Sequence, residues 1–169
     1  MRWIVIGLTV LWLGTAWGRC EDGPPPLRLQ GQGQLCLLGF CLYDARLWTA
    51  QPGFSYDAPF ALDILYRRSI PRTRMIDTAI DEIRRLSDPP PPEATLERWR
   101  TAMAPAFIDT RPGDSICGVY LPGRGVRFYV NGITSAEIDD PAFARAFFDI
   151  WLAPSTRAAS LRERLLGKK

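Results

Sequence analysis

Residues 111–141 read RPGDSICGVYLPGRGVRFYVNGITSAEIDDP, and this stretch leaves the chain few architectures. Three short runs rich in β-branched and aromatic residues, SICGVYLP, VRFYV and ITSAEI, are separated by PGRG and by Asn131-Gly132. Both separators are tight-turn signals, and Asn-Gly is among the strongest for a two-residue hairpin. The stretch therefore predicts an antiparallel meander over 115–138. Asp139-Asp140-Pro141 then reads as a helix start, an acidic cap followed by proline at the first helical position.

The rest of the chain can be laid out around this meander. Residues 27–48 read as β, with Leu27 and Leu29 alternating, GQGQ at 31–34 breaking the run, and segment 40–49 following. Phe60, Leu62, Ile64 and Tyr66 recur at period two, with Asp63 and Arg67 on the other face, which predicts a half-buried strand over 60–68. Ile76, Ile80, Ile83 and Leu86 fall at helical spacing within 73–87, and Leu96, Trp99 and Met103 within 94–103, with DPPPP between. A helix over 141–152 buries Phe143, Phe147 and Ile150, with Trp151 beside them. A last helix spans 156–166, capped by Ser155 and closed by Gly167. Strands, helices, strands, helices, each helix apolar on one face, give an α+β domain with an antiparallel sheet.

The N-terminus carries its own information. MRWIVIGLTVLWLGTAWG holds one charge, Arg2, before an apolar run of about 15 residues, shorter than the roughly 20 a membrane-spanning helix needs. Ala16 and Gly18 supply small residues at −3 and −1, so residues 1–18 are expected to be a cleaved export signal. The expected layout is signal 1–18, a loose lead-in and first strand over 19–30, and a single domain over 31–167. The mature protein would be periplasmic or secreted, with no membrane span after cleavage. Losing Arg2 takes the net charge from +3 to +2, and the basic residues alternate with acids, so no nucleic-acid partner is expected.

What the chain lacks restricts its chemistry. It has no histidine, so Ser-His-Asp and Cys-His catalysis and histidine metal sites are excluded. Lys168 and Lys169 are the only lysines, which argues against a buried Schiff base. The four cysteines form no C-x-x-C pair, so neither zinc nor thioredoxin-like chemistry has its spacing. No metal or cofactor is expected. If Leu38-Gly39 is a two-residue turn, Cys36 and Cys41 face each other and can bridge. If the strand runs straight through, they are about 16 Å apart and point to opposite faces. Cys117 reads as a small buried residue of the meander. Tyr120 and Tyr129 flank the PGRG turn and either line a pocket mouth or pair across the hairpin.

Three stretches, GFCLYDARLWT, RPGDSICGVYLPGRGVRFYVNG and DDPAFARAFFDIWLAP, together resemble the chalcone isomerase-like family in its short bacterial exported branch. The resemblance runs in order from about Gly31 to Gly167. It implies an open-faced β-sandwich, a large antiparallel sheet covered on one side by helices. Some members of that family cyclise an enone with a pocket arginine, and others bind fatty acids with an arginine and a tyrosine on the carboxylate. The arginine closes a G-x-G-x-R stretch. Here that stretch is Gly31-Gln32-Gly33-Gln34-Leu35, so the arginine position holds Leu35, while the pocket tyrosine falls at Tyr43. Leucine cannot stabilise a developing anion, and Arg67 and Arg127 are the candidate replacements, against their plainer reading as solvated charges on the outer face. Tyr43, Trp48, Arg67, Arg127 and Tyr129 are thus the candidate ligand contacts.

The expected function is non-catalytic binding of an apolar or fatty acid-like small molecule. The alternatives are an isomerase or intramolecular lyase acting on a chalcone-like enone, and an envelope interaction domain with no small ligand.

Overall fold

The computed structural model describes residues 26–168. The expected export signal over 1–18 and most of the lead-in fall outside the described residues. The sheet has six antiparallel strands in simple sequence order: β1 (Arg28–Leu37), β2 (Phe40–Thr49), β3 (Phe60–Tyr66), β4 (Ser115–Leu121), β5 (Gly125–Val130) and β6 (Ile133–Ile138). Helices α1 (Arg72–Leu86) and α2 (Glu93–Met103) are inserted between β3 and β4, and α3 (Pro141–Leu152) and α4 (Ala159–Leu165) follow β6. This is the expected α+β architecture, an antiparallel sheet with its helices gathered on one face.

Alternation along the strands decides which face the helices take. On β2, Tyr43, Ala45, Leu47 and Thr49 are buried while the residues between them are partly open. On β3, Phe60, Leu62 and Ile64 join the same core. Within the sheet Phe60 stacks on Tyr120 at 4.8 Å, and rings from sheet and helices meet edge to face, Phe60 with Phe148 at 4.8 Å and Phe128 with Phe147 at 5.2 Å. Helix α3 starts as its sequence predicts. Asp140 is the N-cap, its Oδ1 accepting the Phe143 N–H at 2.9 Å, with Pro141 at the first helical position. Its Oδ2 accepts the Trp99 Nε1–H at 2.8 Å, which ties α2 to the same cap.

Three expectations need correction. GQGQ does not break the first strand: β1 runs through it, with a register irregularity between Leu29 and Gly31. Gly31 and Gly33 are there for contact, since a Cβ on Gly31 would sit 2.1 Å from the Arg164 carbonyl oxygen and one on Gly33 would sit 2.9 Å from Leu161. Bare backbone at these positions lets α4 lie directly on β1. Second, the last helix is shorter than 156–166 and Ser155 does not cap it. Instead, Thr156 Oγ1 donates to the Ile150 carbonyl and accepts the Ala158 N–H, holding residues 153–158 as a turn. Third, Tyr120 and Tyr129 do not pair. Tyr120 is opposite Val126 and Tyr129 opposite Cys117, so the two rings lie on different faces of the sheet.

Candidate functional site

A cavity of about 840 Å³ lies between the sheet and the helices. Its position follows from the packing: α1 packs on α2 and α3 rather than flat on the strands, and the gap under it stays open. The sheet side is formed by Leu35, Tyr43, Leu62, Ile64, Tyr66 and Ile116. The helix side is formed by Met75 and Ala79 of α1 and by Phe147, Ile150 and Trp151 of α3. Polar groups are few: the two tyrosines, Ser69, Thr78, Glu82, Thr156 and the guanidinium groups of Arg74 and Arg157. An apolar enclosure with a few polar groups is the usual form of a small-molecule site, and its size falls within the range such sites occupy.

Strand register builds the polar part of the floor. Leu35 is paired with Tyr43 across β1 and β2, and Tyr43 with Tyr66 across β2 and β3. The three side chains form one row, and the tyrosine rings meet edge to face at 5.9 Å. Trp151 of α3 donates its Nε1–H to Tyr43 Oη at 2.9 Å, a bridge from helix to sheet. Burial pushes the Tyr43 hydroxyl up to about 12, a rise partly offset by the Trp151 hydrogen bond. Burial, and then the neighbouring Tyr43, raise Tyr66 as well. Both hydroxyls are therefore neutral at physiological pH, able to donate to a ligand oxygen but unable to supply a charge.

The cations lie elsewhere on the rim. Glu82 of α1 is buried, and both of its oxygens are paired: Oε1 with Arg157 Nη1 at 2.6 Å and Oε2 with Arg85 Nη2 at 2.6 Å. Arg85 also donates to the Ser155 carbonyl, so this cluster ties α1 to the turn after α3 beside the cavity. Arg74, in the first turns of α1, lines the cavity without an ion-pair partner among the described residues.

Of the sequence candidates, only Tyr43 reaches the cavity. Trp48 packs on the outer face of the sheet with Cys117, Val119 and Tyr129, and its buried Nε1 has no hydrogen-bond partner among the described residues. Arg67 is exposed and donates from Nε to Asp44 Oδ2 at 2.7 Å. That hydrogen bond is the main cause holding the Asp44 carboxyl below its ordinary range. Arg127 pairs with Glu137 at 3.0 Å on the outer face, and hydrogen bonds to Tyr129 and then Glu137 raise its pKa. Neither arginine lines the cavity. The sequence reading gives Tyr66 and Trp151 only as packing residues of a strand and a helix, and does not single out Arg74 or Arg157. Tyr66 had a signal, since it shares the period-two face of Phe60 and Ile64, but the two arginines reach the rim only through the tertiary fold.

The cysteine alternatives are settled by the turn. Leu38 (φ 49°) and Gly39 (φ 82°) both adopt left-handed backbone, as a two-residue hairpin turn demands. This places Cys36 opposite Cys41, and the two form a disulfide. Cys117 is buried as expected, but it too is disulfide-bonded. Among the described residues, no helix is long and apolar enough to cross a membrane, and no group of His, Cys, Asp or Glu side chains could hold a metal.

Residues 26–167 match the family described as chalcone isomerase-like. An uncharacterised protein of Haemophilus influenzae is 33% identical over 115 residues, which are 66% of this chain and 54% of the relative. The chain thus spans about half the length of the curated relative it matches. Among solved structures, a fatty-acid binding protein of Arabidopsis thaliana superposes with a TM-score of 0.65 at 11% identity, over 86% of this chain and 89% of that one. At that identity the likeness is one of fold.

Proposed function

From the premise that the chain belongs to the chalcone isomerase-like family, we propose that it is an exported, non-catalytic binding protein for a fatty acid-like amphiphile. The observation that carries this reading is the cavity, about 840 Å³ of mostly apolar enclosure between sheet and helices. The hydrocarbon part of the ligand would lie against Leu62, Ile64, Ile116 and Phe147. Its polar end would meet either Arg74 at the rim, which has no competing carboxylate among the described residues, or the neutral Tyr43 and Tyr66 hydroxyls of the floor, which can donate. Export draws support from the Cys36–Cys41 disulfide, because such bonds persist mainly in oxidising compartments.

An intramolecular lyase has less support. Such an enzyme needs a cation aimed at the developing phenolate or enolate, and the residue in the Tyr43–Tyr66 row at that place is Leu35. The arginines on the rim are either paired with Glu82 or, like Arg74, in the first turns of α1.

The test is direct. Protein purified from its own compartment is extracted with organic solvent and the extract analysed for amphiphiles. Separately, a long-chain fatty acid is added during thermal unfolding. A ligand at a hundredfold its Kd stabilises by about 2.7 kcal/mol, a rise of about 5–10 °C for a domain of this size. An empty extract together with an unmoved melting temperature would sink the proposal.

A further inference from the structure

The β1–β2 hairpin ends in a feature the cavity does not account for. Leu37, Leu38 and Phe40 are 56%, 98% and 62% exposed, and they stand together at the tip. Leu38 holds the left-handed backbone of the turn, a conformation that suits asparagine or glycine and is unfavourable for a leucine. The tip therefore keeps a large apolar side chain in open solvent where a polar residue would be both better solvated and less strained. The hairpin also projects. The last β2–β3 pair is Tyr43 with Tyr66, so Phe40 stands three residues, about 10 Å, beyond it. The Cys36–Cys41 disulfide closes the hairpin just below the tip and holds its two arms together.

The surroundings are basic. Between Tyr66 and Met75, in the connection from β3 into α1, the chain carries four arginines and no carboxylate. Arg67 is neutralised by Asp44. Arg68 lies over the Phe40 ring at 5.5 Å, and neither it nor Arg74 has an acidic partner among the described residues. The cavity reaches these same elements: Leu37 and Leu42 of the hairpin and Ser69, Ile70 and Arg74 of the connection all line it. The Asn131-Gly132 turn lies at this end of the sheet too, presenting Ile133 at 75% exposure.

We infer that the hairpin tip docks the protein onto the surface of a phospholipid bilayer bearing anionic head groups. Leu37, Leu38 and Phe40 enter the interface, Arg68 and Arg74 meet the head-group charges, and the cavity mouth faces the lipid. A projecting, convex apolar tip flanked by cations fits a soft lipid interface, in which apolar side chains insert and basic ones add electrostatic attraction. With the mouth against the lipid, an amphiphile passes between bilayer and cavity without crossing bulk water.

The experiment is flotation of the full chain with vesicles of phosphatidylcholine alone and of phosphatidylcholine mixed with phosphatidylglycerol. The expected result is partitioning onto the mixed vesicles that weakens as salt is raised. Leu38→Asn combined with Phe40→Ser is expected to lower the partition coefficient about tenfold. Arg68→Gln is expected to lower it about fivefold on mixed vesicles and not at all on phosphatidylcholine alone. The altered side chains are exposed and lie outside the cavity lining, so the variants should melt no lower than the unaltered protein and take up a soluble fatty acid equally well. Those controls separate failure of docking from failure of ligand binding, and residues 1–18 are common to every variant. Equal flotation of the variants and the unaltered chain would overturn the inference. So would a lack of binding to mixed vesicles, which would leave the tip to a protein partner.

Discussion

Leu38 and Tyr43 lie five residues apart, and each departs from what its surroundings favour. Leu38 takes left-handed backbone at the hairpin tip, at a cost of roughly 1–2 kcal/mol for a residue with a Cβ. Leu38→Asn is therefore expected to stabilise the fold by about 1 kcal/mol, seen as a higher denaturation midpoint with an unchanged slope. An unchanged or lower midpoint would remove the strain from the account. Tyr43 is the opposite case, a polar group drawn into the core and satisfied by Trp151. Tyr43→Phe leaves the partly buried Trp151 Nε1–H without its acceptor and is expected to cost about 1 kcal/mol. The faces of these residues were partly legible in the sequence. Alternation from Tyr43 puts Trp48 on the other side of the sheet, and alternation from Tyr66 does the same for Arg67; parity along the strand alone would have removed both from the pocket. The turn was not legible, because leucine gives no signal for left-handed backbone, and only the register of β1 against β2 reveals it.

At the scale of elements, one cap and one staple carry the predictions. Burial pushes the Asp140 carboxyl up, but the hydrogen bonds from the Phe143 and Ala142 N–H groups and from Trp99 outweigh it, and its pKa lies below the ordinary value of 3.8. The folded protein thus favours the charged carboxylate. The resulting stability is present above the unfolded-state value and is lost as pH falls below it through the lower folded value. Acid titration of the unaltered protein should show this loss, and Asp140→Ala should reduce stability at neutral pH by about 1–2 kcal/mol while flattening that dependence. The same loss below pH 4 in Asp140→Ala as in the unaltered chain would move the effect to other carboxylates. The Cys36–Cys41 bridge closes a short loop, so Cys36→Ser with Cys41→Ser should cost about 2 kcal/mol. The accompanying amide exchange should quicken in 35–42 and not in β4. Helix positions were easy to read from apolar spacing and from the Asp140-Pro141 start. Gly31 and Gly33 misled for a physical reason: locally they weaken a strand, and their purpose is contact with α4, more than a hundred residues later in the chain.

On the scale of the whole molecule, the sheet and the helices are held apart on one side, and the gap is the cavity. That separation rests on where α1 packs, on α2 and α3, and on the Glu82 cluster that joins α1 to the turn at Ser155 and Arg157. No local pattern announces such a gap, because each helix shows only that one face is apolar, not whether that face is filled by the sheet. Nor does local sequence announce Arg74 and Arg157, which reach one cavity from distant parts of the chain. The absence of arginine at position 35 was visible from the start, and the row Leu35, Tyr43, Tyr66 gives it a place in space. Under the proposed function this gap holds an amphiphile. Ala79 lines it from α1, and Ala79→Phe would put a ring into the space the ligand needs. Native mass spectrometry with added hexadecanoate compares the two proteins most directly. One hexadecanoate is expected per unaltered chain and none on Ala79→Phe with its fold intact; equal occupancy of both, or of neither, would rule out this gap as the binding site.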